Sequence, residues 1–398
     1  MIISNIMDPA LFVILVLIVA LVLFITEVIP ITCTALFVTL ALYLGGVIDV
    51  DTALSSFGGE NVMIIAGLGI VGEALFKTGA AGKIGHLLER TARSERILVF
   101  WLVVGSGLLA AFLSVNGCSL ALGISQSTNY RRCKMMYPIA IGVCLGGGIT
   151  TVGSSSTLYL QQILGDMGIT MAFFELAPIS IILLVVSGLF LATIGFGLMP
   201  EQANNEGEFT YSTDKSDFSG IPAWKPTFAI VVLIATFVFM YLAGDIGIGV
   251  GMVALIAAFL VVVTKLISNK EALRAIPMNA IVMYCFMVPM SDAMELSGAS
   301  DMLANFLQEH AGGVNSSLLV IICIYVIAVP LTNIMSNAAT IIMLTPIALA
   351  VSESMGLNPL AILMTVRMAG TIAFMTPIGF TPCTMAIEPG GYSFIDYL

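Results

Sequence analysis

Apolar runs of bilayer length recur along almost the entire chain, and this restricts what it can fold into. About 20 apolar residues cross a bilayer as a helix. With no water in the hydrocarbon, every backbone N–H and C=O there must find a partner within the protein. Runs 9–28 and 31–48, separated by Glu27 and Pro30, are followed by 61–76, 97–127, 135–165, 172–199, 226–243, 247–267, 278–296, 314–350 and 358–388. The chain is 59% hydrophobic and 10% charged, whereas a soluble domain carries roughly 25% charged residues. An all-α polytopic membrane protein is therefore expected. The net charge of −10 is no sign of an acidic partner, and with no basic face nucleic-acid binding is not expected. The seven cysteines (Cys33, Cys118, Cys133, Cys144, Cys285, Cys323, Cys383) form no CxxC pair and no zinc spacing, so they read as buried free thiols. No Lys or Arg precedes the first apolar run, so a cleaved signal peptide is not expected.

The two halves of the chain resemble one another. Gly72-Glu73-Ala74-Leu75-Phe76-Lys77-Thr78-Gly79-Ala80-Ala81 reads against Ser291-Asp292-Ala293-Met294-Glu295-Leu296-Ser297-Gly298-Ala299-Ser300. An acid, an alanine, a small hydroxyl residue, a glycine and another alanine fall in register. After each copy come an amphipathic stretch (80–95 and 299–311), a long apolar run and a second, interrupted apolar run. The predicted organisation is leading scaffold helices in 1–50, repeat 1 in 51–199, a polar cytoplasmic linker in 200–225, and repeat 2 in 226–398. Nothing in repeat 2 matches the span 172–199, so the chain reads as one helix short.

Positive charges set the topology. Lys77, Lys83, Arg90, Arg93 and Arg96 precede run 97–127, and Arg131, Arg132 and Lys134 follow it. Lys and Arg concentrate on the cytoplasmic side. A re-entrant hairpin over 97–127 keeps both clusters inside, whereas a single crossing would separate them. The equivalent hairpin over 314–350 then enters from outside. The predicted fold has two inverted-topology repeats, each with a re-entrant hairpin and a broken transmembrane helix (135–165 and 358–388).

Four interruptions form two symmetric pairs. Ser114-Val115-Asn116-Gly117 matches Ser336-Asn337-Ala338-Ala339-Thr340, and Thr150 to Ser156 matches Thr376 to Pro382. Breaks of this kind are tolerated in a membrane only where protein or a water-filled cavity surrounds them. Exposed carbonyls there hold a cation, and helix N-termini attract an anion. All four clusters are rich in neutral hydroxyl and amide groups. Neutral oxygens suit Na+, whereas Ca2+ would call for a carboxylate cage. Repeats with interruptions at matching places mark a secondary transporter. The bland reading is that small residues merely let helices pack closely. It suffices for any single Ser or Gly, but not for four clusters in symmetric places.

These residues resemble the divalent-anion:sodium symporters of the ion-transporter superfamily. Ile25-Thr26-Glu27-Val28-Ile29-Pro30-Ile31-Thr32 is similar to that family's early ITE-IP signature. Ser336-Asn337-Ala338 is similar to its second hairpin tip, Ser-Asn-Thr. Gly153-Ser154-Ser155-Ser156 and Gly379-Phe380-Thr381-Pro382 stand where it has Gly/Ala-Thr/Ser-Pro-Pro-Asn loops. The resemblance implies a multi-pass protein of the cell inner (plasma) membrane, a homodimer importing a dicarboxylate or related anion with Na+ by an elevator motion. It implies Na+ at Ser114, Asn116, Thr151, Gly153, Ser336, Asn337, Thr376 and Gly379. It implies substrate at Asn116, Gly117, Ser154, Ser155, Asn337, Ala338, Phe380, Thr381 and Pro382. The chain departs from the family where the first tip is Ser114-Val115-Asn116-Gly117, where Ala338 replaces a threonine, and in the first loop, which lacks Pro-Pro-Asn.

Arg367 lies mid-span, and an intramembrane charge is a functional hypothesis by default. It reads either as an anion contact or as a structural partner of an acid such as Glu353. Glu73 and Asp292 read as capping or pairing groups, and His86 and His310 as interfacial residues. Two further transport readings stay open: an exchanger, antiporter or metalloid-anion exporter of the same superfamily, and an inactive pseudo-transporter. An enzyme is not expected, since no histidine lies in an apolar run and no GxGD or HExxH motif occurs.

Overall fold

Among the described residues the apolar runs are largely helical, and most of the helices stop close to a glycine, a proline or a hydroxyl residue. The computed structural model describes residues 7–26, 28–80, 94–113, 131–200, 222, 224–302, 317–377 and 379–397. Its helices are α1 (Pro9–Thr26), α2 (Ile31–Leu44), α3 (Val50–Leu54), α4 (Glu60–Lys77), α5 (Glu95–Leu113), α6 (Met136–Gly146), α7 (Ser155–Asp166), α8 (Ala177–Thr193) and α9 (Gly195–Leu198). They continue as α10 (Trp224–Ile246), α11 (Val250–Val263), α12 (Asn269–Ala275), α13 (Met278–Leu296), α14 (Ser317–Ile334), α15 (Asn337–Ser354), α16 (Pro359–Thr371) and α17 (Thr381–Gly390). No strand occurs among the described residues. The amphipathic stretches, apart from their margins, and the body of the linker lie outside the described residues, as do His86, His310 and Cys118.

The duplicated motif has a local explanation. It closes α4 and α13 in the same way: Gly79 (φ 72°) and Gly298 (φ 73°) both take the left-handed conformation, which only glycine adopts without strain. The Thr78 and Ser297 amides bond back to the carbonyls of Ala74 and Ala293, at 3.0 and 3.1 Å. The hydroxyl residue, the glycine and the small residues of each copy thus build a helix C-cap.

The chain folds into two compact units. The first comprises Met1–Val62, Ser155–Ala172 and Met278–Ala373. In it α2 packs on α1 and α13, α14 to α16 pack on one another, and α7 packs against α13, α15 and α16. Pro289 lies inside α13 and removes the N–H that would bond the Cys285 carbonyl. One residue on, the Phe286 carbonyl accepts the Thr39 hydroxyl of α2. Buried Asn61 donates to the Tyr284 hydroxyl at 3.1 Å and to the Leu158 carbonyl at 3.3 Å, linking α13 and α7.

The second unit comprises Met63–Ser154, Phe173–Pro277 and Phe374–Leu398. Its tightest pair is α5 on α6, and glycine makes it possible: a Cβ on Gly146 would lie 2.0 Å from the Gly107 carbonyl oxygen, and one on Gly142 2.4 Å from that of Val103. Close backbone approach of this kind drives helix association in membranes. The Ser106 hydroxyl donates to the Ile139 carbonyl at 3.2 Å across the same seam. Lys134, 2% exposed, donates to the carbonyls of Phe196 and Met199 at 2.8 and 2.5 Å, so a buried cation caps the C-terminus of α9. Along α8, Ser180 and Leu184 are buried while Ile182 and Leu189 are exposed, as suits a helix with one face toward lipid.

Both units draw on both halves of the sequence, and the two parts of each interrupted run fall in different units. The first joins α7, from the first half, to α15 and α16 of the second. The second unit joins α17, from the second half, to α6 of the first. Tyr392 donates its hydroxyl to the Cys133 carbonyl at 2.6 Å, Tyr397 donates to that of Cys383 at 2.7 Å, and their rings meet Tyr137 edge-on.

Outside the spans, α12 carries a capping box: the Ser268 hydroxyl accepts the Glu271 amide at 3.3 Å, and the Glu271 carboxylate accepts the Ser268 amide at 2.8 Å. These bonds to Ser268 hold the Glu271 pKa below its usual value. A carboxyl with a lowered folded pKa stabilises the fold above its unfolded pKa, about 4.3, and loses that contribution as pH falls through the folded value. Ser268→Ala is expected to cost about 1 kcal/mol. The difference in melting temperature between wild type and Glu271→Ala should be present at pH 7 and shrink steadily below about pH 4, as read by thermal denaturation in detergent.

Candidate functional site

The apolar runs 135–165 and 358–388 are each interrupted by irregular backbone, for different local reasons. α6 has 11 residues and so rises only about 16 Å, roughly half of a bilayer core. It ends at Gly146 to Gly148, and Thr151–Gly153 form a short 3-10 turn before α7 begins at Ser155. In the second unit the Thr150 hydroxyl donates to the Ala111 carbonyl of α5. The Thr151 amide donates to the Phe173 carbonyl at 3.1 Å. Gly153 has no room for a side chain, because a Cβ would lie 2.7 Å from the Gly147 oxygen and 2.8 Å from the Ala111 oxygen. Thr151 and Gly153 are buried, and Ser154 is half-buried.

In the first unit, α16 ends at Thr371 beside the break between α14 and α15. The carbonyls of a final helical turn have no partner within the helix. Here Thr332 donates to the Gly370 carbonyl at 3.0 Å, and the Asn333 amide donates to that of Ile372 at 2.8 Å. Ser336 caps α15, its hydroxyl accepting the Ala339 amide at 3.3 Å. A Cβ on Gly370 would lie 2.4 Å from Ile341, so glycine lets α15 approach α16. Ser336, Asn337 and Ala338 are all half-buried here. Ser155, at the first turn of α7, belongs to this unit as well.

The segment 374–382 belongs to the second unit. The Tyr137 hydroxyl donates to the Phe374 carbonyl at 3.0 Å, and the Thr376 hydroxyl accepts the Gly379 amide at 3.3 Å. Phe380 packs its ring against the cluster of Leu98, Leu102 and Ile139. Gly379 and Pro382 are buried and Thr381 is exposed. Ser114, Asn116 and Gly117 lie outside the described residues.

Arg367 is 1% exposed. Its Nε donates to the Thr157 hydroxyl of α7 at 2.6 Å, and its Nη1 to the Thr371 hydroxyl at 2.7 Å. Thr371 in turn donates to the Arg367 carbonyl at 2.9 Å. The sequence shows Thr371 one turn after Arg367 on the same helical face. It carries no mark that Thr157, 210 residues away, is the other partner. Among the described residues no cluster of three His, Cys, Asp or Glu side chains could hold a metal ion. The donors gathered at the breaks are hydroxyls, amides and carbonyls.

Helices of bilayer length, shorter apolar helices that end at polar breaks, and buried hydroxyl and amide groups at those breaks point to a multi-pass α-helical membrane transporter. The chain belongs to the CitMHS family, described as citrate transporter, whose family model matches residues 21–367. It is similar to the uncharacterized transporter sll0640 of Synechocystis sp., 38% identical over 136 residues, 34% of this chain and 22% of the relative. It is similar to the uncharacterized transporter YfbS of Escherichia coli, 31% identical over 145 residues, 36% of this chain and 24% of the relative. The matched stretches thus span less than a quarter of those two relatives. Over 98% of this chain and 82% of the relative it is 21% identical to the sodium-dependent dicarboxylate transporter SdcS of Staphylococcus saprophyticus. The resemblance read from the motifs agrees with this family, which is one of transporters rather than enzymes.

Gly153→Ala is expected to destabilise the protein by about 1–3 kcal/mol, the usual cost of overpacking. Gly165→Ala in α7, where a Cβ meets nothing within 4 Å, should leave the melting temperature unchanged or raise it. Thermal denaturation of both variants in detergent checks the pair.

Proposed function

We propose that the protein is a secondary active transporter that carries a small dicarboxylate or other divalent anion with Na+ across the cell inner membrane. The observation that carries this reading is the set of neutral oxygens and helix starts at the breaks. Ser336–Asn337 opens α15 against the end of α16, and Thr151–Ser155 opens α7. Carbonyls and hydroxyls of this kind suit Na+, and helix N-termini suit a carboxylate. The name of SdcS, matched along nearly the full chain, points the same way.

In this reading the two repeats, 51–199 and 226–398, have opposite topology. Runs 97–127 and 314–350 are re-entrant hairpins. The paired glycines Gly79 and Gly298, and Gly168 and Gly391 after the second halves of the broken helices, all at positive φ, support a common ancestry of the two halves. Alternating access moves the hairpins and broken helices against the remaining spans as an elevator, in a homodimer. Ser114, Asn116, Thr151, Gly153, Ser336, Asn337, Thr376 and Gly379 hold Na+. Asn116, Gly117, Ser154, Ser155, Asn337, Ala338, Phe380, Thr381 and Pro382 line the anion site.

The test is thermal stability of the purified protein in Na+ against K+, each with succinate, citrate, malate, sulfate or arsenite. A ligand at a hundredfold excess over Kd stabilises by about 2.7 kcal/mol. A Na+-specific shift that grows with one anion, and is lost in Asn337→Ala, is the expected result. No response to Na+ would overturn the symport reading and favour a proton-coupled, uncoupled or inactive protein.

A further inference from the structure

We infer that Arg367 is a positioning residue that holds the first turn of α7 in register with the last turn of α16, and so sets the geometry of the anion site at Ser155. The inference rests on the transport reading above for its functional half and on geometry alone for its structural half. Arg367 stands one turn before α16 stops, and Thr157 is the third residue of α7. The guanidinium therefore joins the end of one half-helix to the beginning of another, from opposite halves of the sequence. Both hydroxyls it bonds are almost fully buried, Thr157 at 0% and Thr371 at 2% exposed.

The shape of the group matters as much as its charge. Guanidinium is a planar fork whose Nε and Nη1 point in fixed, different directions. With one on Thr157 and the other on Thr371, the plane of the fork fixes both the separation and the rotation of α7 relative to α16. Thr371 cannot swing away, because its own proton is held by the Arg367 carbonyl. An ammonium group on a flexible stem keeps the charge but not this fixed angle. A charge this deeply buried is costly in a membrane, and hydroxyl oxygens on both sides offset part of that cost. Two residues from Thr157 toward the break lies Ser155, whose orientation follows that of the first turn.

Three variants test this: Arg367→Lys, Arg367→Gln and Thr157→Val, the last sparing the guanidinium and its other bonds. Hydrogen exchange followed by mass spectrometry on the purified protein gives a readout independent of transport. Amides of residues 155–160 are expected to exchange about tenfold faster in Thr157→Val and Arg367→Gln, a loss of about 1.4 kcal/mol, while those of 281–290 in α13 stay protected. Unchanged exchange at 155–160 would overturn the tie.

Proteoliposome uptake of radiolabelled succinate and citrate, driven by an inward Na+ gradient, gives the second readout. Thr157→Val should raise KM with Vmax kept, and Arg367→Lys should recover part of the KM lost in Arg367→Gln. A fall in Vmax that merely follows the amount of folded protein, with KM unchanged, would mark a purely structural role and overturn the inference. If wild type takes up neither of these anions, nor malate, sulfate or arsenite in the same assay, the transport reading fails on its own, and the exchange experiment alone decides whether Arg367 ties the two helices.

Discussion

A helix that stops inside a protein leaves backbone groups of its last turn with no partner in the helix, and the arrangement around both breaks answers that one constraint. The end of α16 offers carbonyls, and Thr332 and Asn333 of α14 bond two of them. Phe374, within the break, has its carbonyl bonded by Tyr137. At the other break the direction reverses. Thr150, in the irregular segment, donates outward to the Ala111 carbonyl of α5. The side chains of Tyr137, Thr150, Thr332 and Asn333 are therefore engaged by backbone carbonyls at or beside the breaks.

The same constraint explains where glycine is needed. Polar side chains as short as Thr and Asn reach a neighbouring backbone only when helices approach closely. Gly107, Gly142 and Gly146 bring α5 and α6 together, and Gly370 brings α16 to α15. Substituting a larger residue at any of these would push the bonded groups apart as well as crowd the core.

Much of this was legible in the sequence. Run length with interruption located the helix ends: the predicted break at Gly146 to Ser156 contains the observed gap between α6 and α7, and that at Thr376 to Pro382 overlaps the gap between α16 and α17. The second gap opens earlier, at Ile372, because Asn333 and Tyr137 supply bonds that the helix would otherwise provide. Gly79 and Gly298 were visible as a repeat, and their physical role as C-caps became clear from their dihedral angles. The sequence did not disclose the exchange of half-helices. Contacts such as Thr157 with Arg367 and Tyr137 with Phe374 join residues more than 200 positions apart. Periodicity reports only the face a helix buries, never the partner it buries that face against.

The exchange has a consequence for the order in which the chain is made. α7 leaves the ribosome long before α15 and α16, its neighbours in the first unit. Residue 367 follows residue 157 by 210 positions, a wait on the order of ten seconds or more at ordinary rates of synthesis. During that interval a half-length helix with Thr157 and Asp166 must rest at the membrane without its arginine partner. The first half of the chain therefore cannot complete its own packing as it emerges, and residues made some 210 positions later are the ones that give α7 its buried partner.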